Sequence, residues 1–133
     1  MSALLLDSSA VLALLLREPD ADRFLEAMLR HPVRWVSAVT LTELSIALGR
    51  RHGPGAQSVV NAFLSAYAVQ VAPFDASQAD EARIAFERFG KGRHPASLNF
   101  GDCCAYAASR CLNLPLLQKG DDFPRTDVRR VEV

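Results

Sequence analysis

Ala3-Leu4-Leu5-Leu6 is a short apolar run that stops on an acid, Asp7, and turns at once into a helix-like stretch. This constrains the fold more than any other feature of the chain. Four apolar residues are too few for a buried helix and suit a strand covered on both faces. Further strands are predicted over Arg34–Ser37, Ala68–Ala72 and Pro115–Gln118, with an edge strand over Val128–Val133. Between them the apolar spacing lengthens to three and four. Ser9–Leu16 reads as a helix, and Ala21, Phe24, Met28 and Leu29 mark a second. Leu41, Leu44 and Leu48 mark a third, which the spacing ends at Gly49. Val59 to Tyr67, Ala79 to Phe89 and Phe100 to Leu112 mark three more. Strands alternating with helices predict an α/β fold, a mostly parallel central sheet with helices on both faces. A chain of 133 residues reads as one domain over 1–133, large enough to need no disulfides.

Half of the residues are apolar, which excludes a disordered chain. Lys plus Arg and Asp plus Glu both number 15, so bulk charge supplies no coat for nucleic acid or membrane. The apolar run Leu12–Leu16 is too short to span a bilayer, which takes about 20 residues, and lacks the flanks of a secretory signal. Cys103, Cys104 and Cys111 are odd in number and form no CxxC pair, which suits free thiols in a reducing cytoplasm.

The acids carry the chemistry. Asp7 follows the first strand, Glu43 the second, Asp102 opens the Phe100 helix, and Asp121 and Asp122 follow the Pro115–Gln118 strand. Each alone suits a helix cap. Thr40 with Glu43 matches a capping box, and Asn99 with Asp102 resembles one. Together they carry more, because helix starts that follow parallel strands gather at one sheet edge, where ligands bind. Carboxylates gathered there repel one another, and a divalent cation removes the repulsion. An all-oxygen set suits Mg²⁺ or Mn²⁺. His31, His52 and His94 are scattered, which disfavours zinc and a serine-type triad.

Four stretches, in order, carry a family resemblance: Leu4–Ala10, Val39–Leu44, Ser97–Ala107 and Leu116–Phe123. With them the chain resembles the PIN-domain ribonucleases of the VapC toxin family, from type II toxin–antitoxin pairs. The resemblance implies a PIN-like three-layer α/β/α sandwich. It implies a Mg²⁺-dependent endoribonuclease in which metal-activated water cuts RNA, with Asp7, Glu43 and Asp102 as metal-binding acids. A fourth acid follows the last strand in this family. Here Gly120 falls at its place, so Asp121 and Asp122 both stand as candidates. Ser8 matches a small hydroxyl residue beside the first acid. The implied partners are a VapB-type antitoxin, an RNA and a second copy of the chain, with no membrane. The apolar helices Leu12–Leu16 and Ala21–Leu29 are the expected antitoxin groove. Arg50, Arg51, Arg83, Arg88, Lys91, Arg93 and Lys119 are the candidates for holding phosphate. The rivals are a housekeeping or flap-type PIN nuclease, and a silent binding module whose acids serve only as caps.

Overall fold

The computed structural model describes residues Ser2–Val133. Four parallel strands form one sheet: β1 (Ala3–Leu6), β2 (Val33–Ser37), β3 (Val69–Ala72) and β4 (Leu116–Leu117), in the order β3-β2-β1-β4. Helices α1 (Ser8–Leu15) and α2 (Ala21–Leu29) join β1 to β2, and α3 (Ala38–His52) and α4 (Ala56–Ala66) join β2 to β3. Helices α5 (Ala76–Phe89) and α6 (Phe100–Leu112) carry the chain back to β4.

The pleat divides the apolar runs between two cores. Leu4 and Leu6 pack with Val11, Phe24, Met28, Leu44 and Phe63 from α1–α4. Leu5 points the other way, toward Ala85, Phe89, Cys103 and Tyr106 from α5 and α6. Residues of a strand alternate between faces, so β1 must be apolar throughout to serve both layers. Burying one such leucine contributes about 1.5–3 kcal/mol. The result is the three-layer sandwich expected from the sequence.

Strand order sets the position of the site. The chain steps outward from β1 to β2 to β3, then returns past β1 to β4. The direction reverses between β1 and β4, and the cleft beyond the carboxyl ends of strands at such a reversal is the ligand site of open parallel sheets.

Several boundaries differ from the sequence reading. No strand forms over Val128–Val133. That segment makes a single parallel bridge from Arg130 to Leu116, with the Leu116 N–H donating to the Arg129 carbonyl and the Val131 N–H to the Leu116 carbonyl. Its end is held instead by side chains, Arg23 on the Val133 carbonyl and Arg30 on the Glu132 carbonyl. Strand β4 shrinks to two residues, since Pro115 has no N–H to give the ladder. Helix α3 runs through Gly49 to His52 and ends at Gly53, whose φ of 69° with ψ of −144° is a backbone conformation that glycine adopts without strain. Ala68 also takes a positive φ, so β3 starts one residue late.

Candidate active site

Asp7 leaves β1 as the N-cap of α1. Its Oδ2 accepts the Ser9 N–H at 3.1 Å and the Ser9 hydroxyl. The hydroxyl that reaches this acid is therefore that of Ser9, not Ser8. Ser9 Oγ also accepts the Lys119 N–H at 2.9 Å, so one side chain ties the exits of β1 and β4 together. Asp7 is only 4% exposed, and burial drives its carboxyl pKa upward against the hydrogen bonds from Ser9.

Asp102 opens α6. Asn99 Oδ1 accepts the Asp102 N–H at 2.9 Å, and Asp102 Oδ2 accepts the Asn99 N–H at 3.1 Å, a complete capping box. The box uses one carboxylate oxygen and leaves Oδ1. Capping and ligation are thus compatible at Asp102, as they are at Asp7, where Ser9 also occupies Oδ2.

Glu43 is not in a capping box. Ser37 caps α3, with its hydroxyl accepting the Val39 N–H at 3.3 Å. The helix starts one turn before Thr40, which is buried with an unpartnered hydroxyl. The Glu43 carboxylate makes no side-chain hydrogen bond or ion pair among the described residues. It lies against the first turn of α6, where a Cβ on Gly101 would overlap it. Gly101 was not singled out by the sequence reading. Its only signal there is its place beside Asp102.

The acids share one electrostatic field. Burial first, then the charges of Asp7 and Asp102, push Glu43 up to about 7. Burial pushes Asp102 up to about 6, with Asp7 and Asp122 adding to the effect against the Asn99 hydrogen bond. Asp7, Glu43, Asp102 and Asp122 therefore converge, whereas Asp121 turns into a polar groove with Lys119, Arg130 and Val131. No lysine or arginine pairs with Asp7, Glu43 or Asp102 among the described residues. Nor do any three acid, histidine or cysteine side chains there stand close enough together to chelate one ion. The donor set still fits a hard cation that takes one or two carboxylates and fills its remaining positions with water. It is all oxygen, the charge of Asp7 raises the pKa of both Glu43 and Asp102, and Asp7 and Asp102 each keep an oxygen outside their caps.

The basic candidates are less free than their positions in the sequence imply. Lys119 Nζ contacts Glu18 at 2.7 Å and Asp20 at 2.9 Å, locking β4's exit to the α1–α2 turn. Arg83 pairs with Asp80 and Arg88 with Asp127. On the α1–α4 face a cavity of about 420 Å³ is lined by Leu14, Leu15, Leu25, Phe63 and Tyr67, with Glu18 and Asp22 at its rim.

A parallel sheet that gathers carboxylates beyond its central strands defines a class of protein, and residues 4–129 match that class, the PIN domain. Ribonuclease VapC of Mycolicibacterium smegmatis is 41% identical over 128 residues, 96% of this chain and 99% of that protein. Ribonuclease VapC30 of Mycobacterium tuberculosis is 38% identical over 128 residues, 96% of this chain and 98% of its own. Among solved structures, the sarcin-ricin loop cleaving toxin VapC20 of Mycobacterium tuberculosis has the same fold. Its TM-score is 0.79 at 22% identity, covering 99% of this chain and 100% of that one. The DNA-bound VapBC of Salmonella typhimurium gives a TM-score of 0.71 at 21% identity, covering 99% and 98%. The chain belongs to the VapC toxin family of PIN-domain ribonucleases.

Proposed function

We propose that the chain is the toxin of a type II toxin–antitoxin pair and a Mg²⁺-dependent endoribonuclease, acting as one PIN unit over residues 1–133. The observation that carries this is the convergence of Asp7, Glu43 and Asp102 with no basic partner, each with its pKa raised. Caps alone need no such convergence. In this reading Asp7 and Asp102 hold the ion and Glu43 completes its shell through water, with Mn²⁺ as a substitute, and Asp122 rather than Asp121 adjusts the shell. A bound divalent cation supplies charge neutralisation at the scissile phosphate and a more acidic water. Ser9 and Asn99 keep the free oxygens of Asp7 and Asp102 aimed into the cleft, and Gly101 admits the Glu43 carboxylate. Water adds to phosphorus, the 3′ oxygen leaves with a proton, and the products carry a 5′-phosphate and a 3′-hydroxyl.

The partner is a VapB-type antitoxin, and the active species is a homodimer in the cytoplasm. The cavity between α1, α2 and α4 supports the antitoxin reading, since it offers Leu14, Leu25, Phe63 and Tyr67 together with Arg17, Glu18 and Asp22 to a partner segment. The VapBC complexes among the structural neighbours pair a chain of this fold with an antitoxin. No helix among the described residues is long and apolar enough to cross a membrane.

The test is expression without a partner, followed by mapping of RNA ends. Growth arrest with new 5′-phosphate ends is expected. Asp7→Asn and Asp102→Asn are expected to abolish both while the circular dichroism spectrum persists. Full activity in both variants would refute the metal mechanism, and normal growth with folded protein would refute the toxin.

A further inference from the structure

We propose that Thr40 is a positioning residue of the cation site: its hydroxyl donates to the Glu43 carboxylate when an ion is bound and fixes that side chain in place. This rests on the divalent-cation reading above and adds a residue to it.

Thr40 is 1% exposed, and its Oγ1 has no hydrogen-bond partner among the described residues. A buried hydroxyl left unbonded destabilises the fold, and valine would fill the same space without that cost. The ordinary uses of a threonine at this place are closed to it. Ser37 is the cap of α3 and already holds the Val39 N–H. A threonine inside a helix commonly donates to the carbonyl one turn back, as Thr42 does to Ala38 at 3.0 Å on the same helix. Thr40 makes no such bond, and a role in packing alone would not need its oxygen.

The fold places this hydroxyl beside the acids. Thr40, Leu44 and Leu48 form the buried stripe of α3, with Thr40 at its first turn. Leu44 and Leu48 belong to the same core as Ala10 and Val11 of α1. Leu6 pairs with Val36, so Asp7 and Ser37 leave the sheet side by side. Thr40, one turn beyond Ser37, therefore stands where the starts of α1 and α3 meet. Glu43 follows three positions later, on the adjoining face of the same helix.

The acceptor is identified by what the other acids already have. Asp7 Oδ2 takes the Ser9 N–H and hydroxyl, and Asp102 Oδ2 takes the Asn99 N–H. Glu43 alone of the three accepts no hydrogen bond among the described residues, and its carboxylate rests against Gly101. A donor without an acceptor and a carboxylate without a donor thus stand one turn apart on α3. Their bond would give each of the three acids a partner close to it in sequence. Such outer contacts orient metal-site ligands and raise affinity for the ion.

The test measures Mg²⁺ binding to the full chain by isothermal titration calorimetry without RNA, and melting with and without Mg²⁺. Thr40→Val is expected to weaken Mg²⁺ binding about tenfold. Its metal-free melting temperature is expected to equal or exceed the parent's, since the unbonded hydroxyl is gone. RNA cleavage by this variant is expected to recover as Mg²⁺ is raised. Thr40→Ser, which keeps the hydroxyl, and Thr42→Val, on the solvent side of α3, are expected to bind Mg²⁺ as the parent does. Parental Mg²⁺ affinity in Thr40→Val would overturn the role of Thr40 and leave the cation site intact. Equal loss of affinity in Thr40→Val and Thr40→Ser, with lower metal-free melting in both, would make the residue a packing element and overturn it equally. A parent that neither binds Mg²⁺ nor gains melting temperature from it would overturn the cation reading, and the role of Thr40 with it.

Discussion

Helix α6 meets carboxylates at two places, and the chain treats them oppositely. At its start, Asp102 is pushed up to about 6 by burial and by other acids. Farther along, Asp127 accepts the Tyr106 hydroxyl and lies 3.4 Å from both Arg88 and Arg110. The Tyr106 hydrogen bond, helped by the two guanidinium groups, holds the Asp127 carboxyl below its ordinary range. One carboxylate has been given every partner it needs, and the other has been denied a counter-charge. A site that tolerates unneutralised, partly desolvated acids is structurally costly, which marks it as a place where a ligand completes the electrostatics. The Asp127 cluster is complete as it stands and fastens α5, α6 and the C-terminal segment.

Substitutions at the two places should therefore separate activity from stability. The largest effect is expected from Asp102→Asn, a loss of RNA cleavage of about two to three orders of magnitude, with no fall in melting temperature in the absence of metal. A fall in stability with cleavage retained would reverse the two roles. Gly101→Ala comes next. The new Cβ displaces the Glu43 carboxylate, and a shift of about 1 Å at a catalytic group costs about a hundredfold in rate. Wild-type cleavage in this variant would show that Glu43 need not rest on that turn. Asp127→Ala should act the other way, leaving cleavage unchanged and lowering stability by about 1–2 kcal/mol, measured by urea unfolding.

The smallest effect is in the pH dependence of stability. Glu43 and Asp102 have folded pKa values of about 7 and about 6, above their ordinary values of 4.5 and 3.8. Their contribution favours the fold at low pH and is lost as pH rises through 6 and 7. Metal-free protein should accordingly melt a few degrees lower at pH 8 than at pH 5, and Mg²⁺ should remove the difference. Asp127, shifted downward, stabilises the fold throughout this window and loses that contribution only as pH falls below its ordinary range. A flat profile without metal would mean that the acids are better screened than their burial indicates.

What could be read from the sequence follows from how local each signal is. The order of strands and helices was legible because β1 and β2 carry their period within a few residues. Asp7 and Asp102 stood out because each sits at a helix start, and Glu43 because it follows closely on the second strand, one turn into α3. The exits of parallel strands share an edge whatever the loops do. Ser9 was passed over for Ser8 because only the turn of α1 decides which hydroxyl folds back on Asp7. Thr40 suggested a capping box because the spacing was right, yet Ser37 had already started the helix one turn earlier. Lys119 was a candidate for phosphate, and its two carboxylate partners lie about a hundred positions away in the chain. The clasps of Tyr106 and Arg88 on Asp127 are likewise products of tertiary packing. No window of sequence contains them.

The shortness of β4 also bears on how the chain behaves at high concentration. An unpaired strand edge is a template on which another chain can add, and long flat edges nucleate fibrils. Here one border of the sheet has only two residues in the ladder, and the 129–131 segment already occupies both hydrogen-bonding groups of Leu116. The opposite border, β3, has four residues. Little backbone is offered for strand addition on either side. A chain with such borders stays free of strand-to-strand growth as its concentration rises.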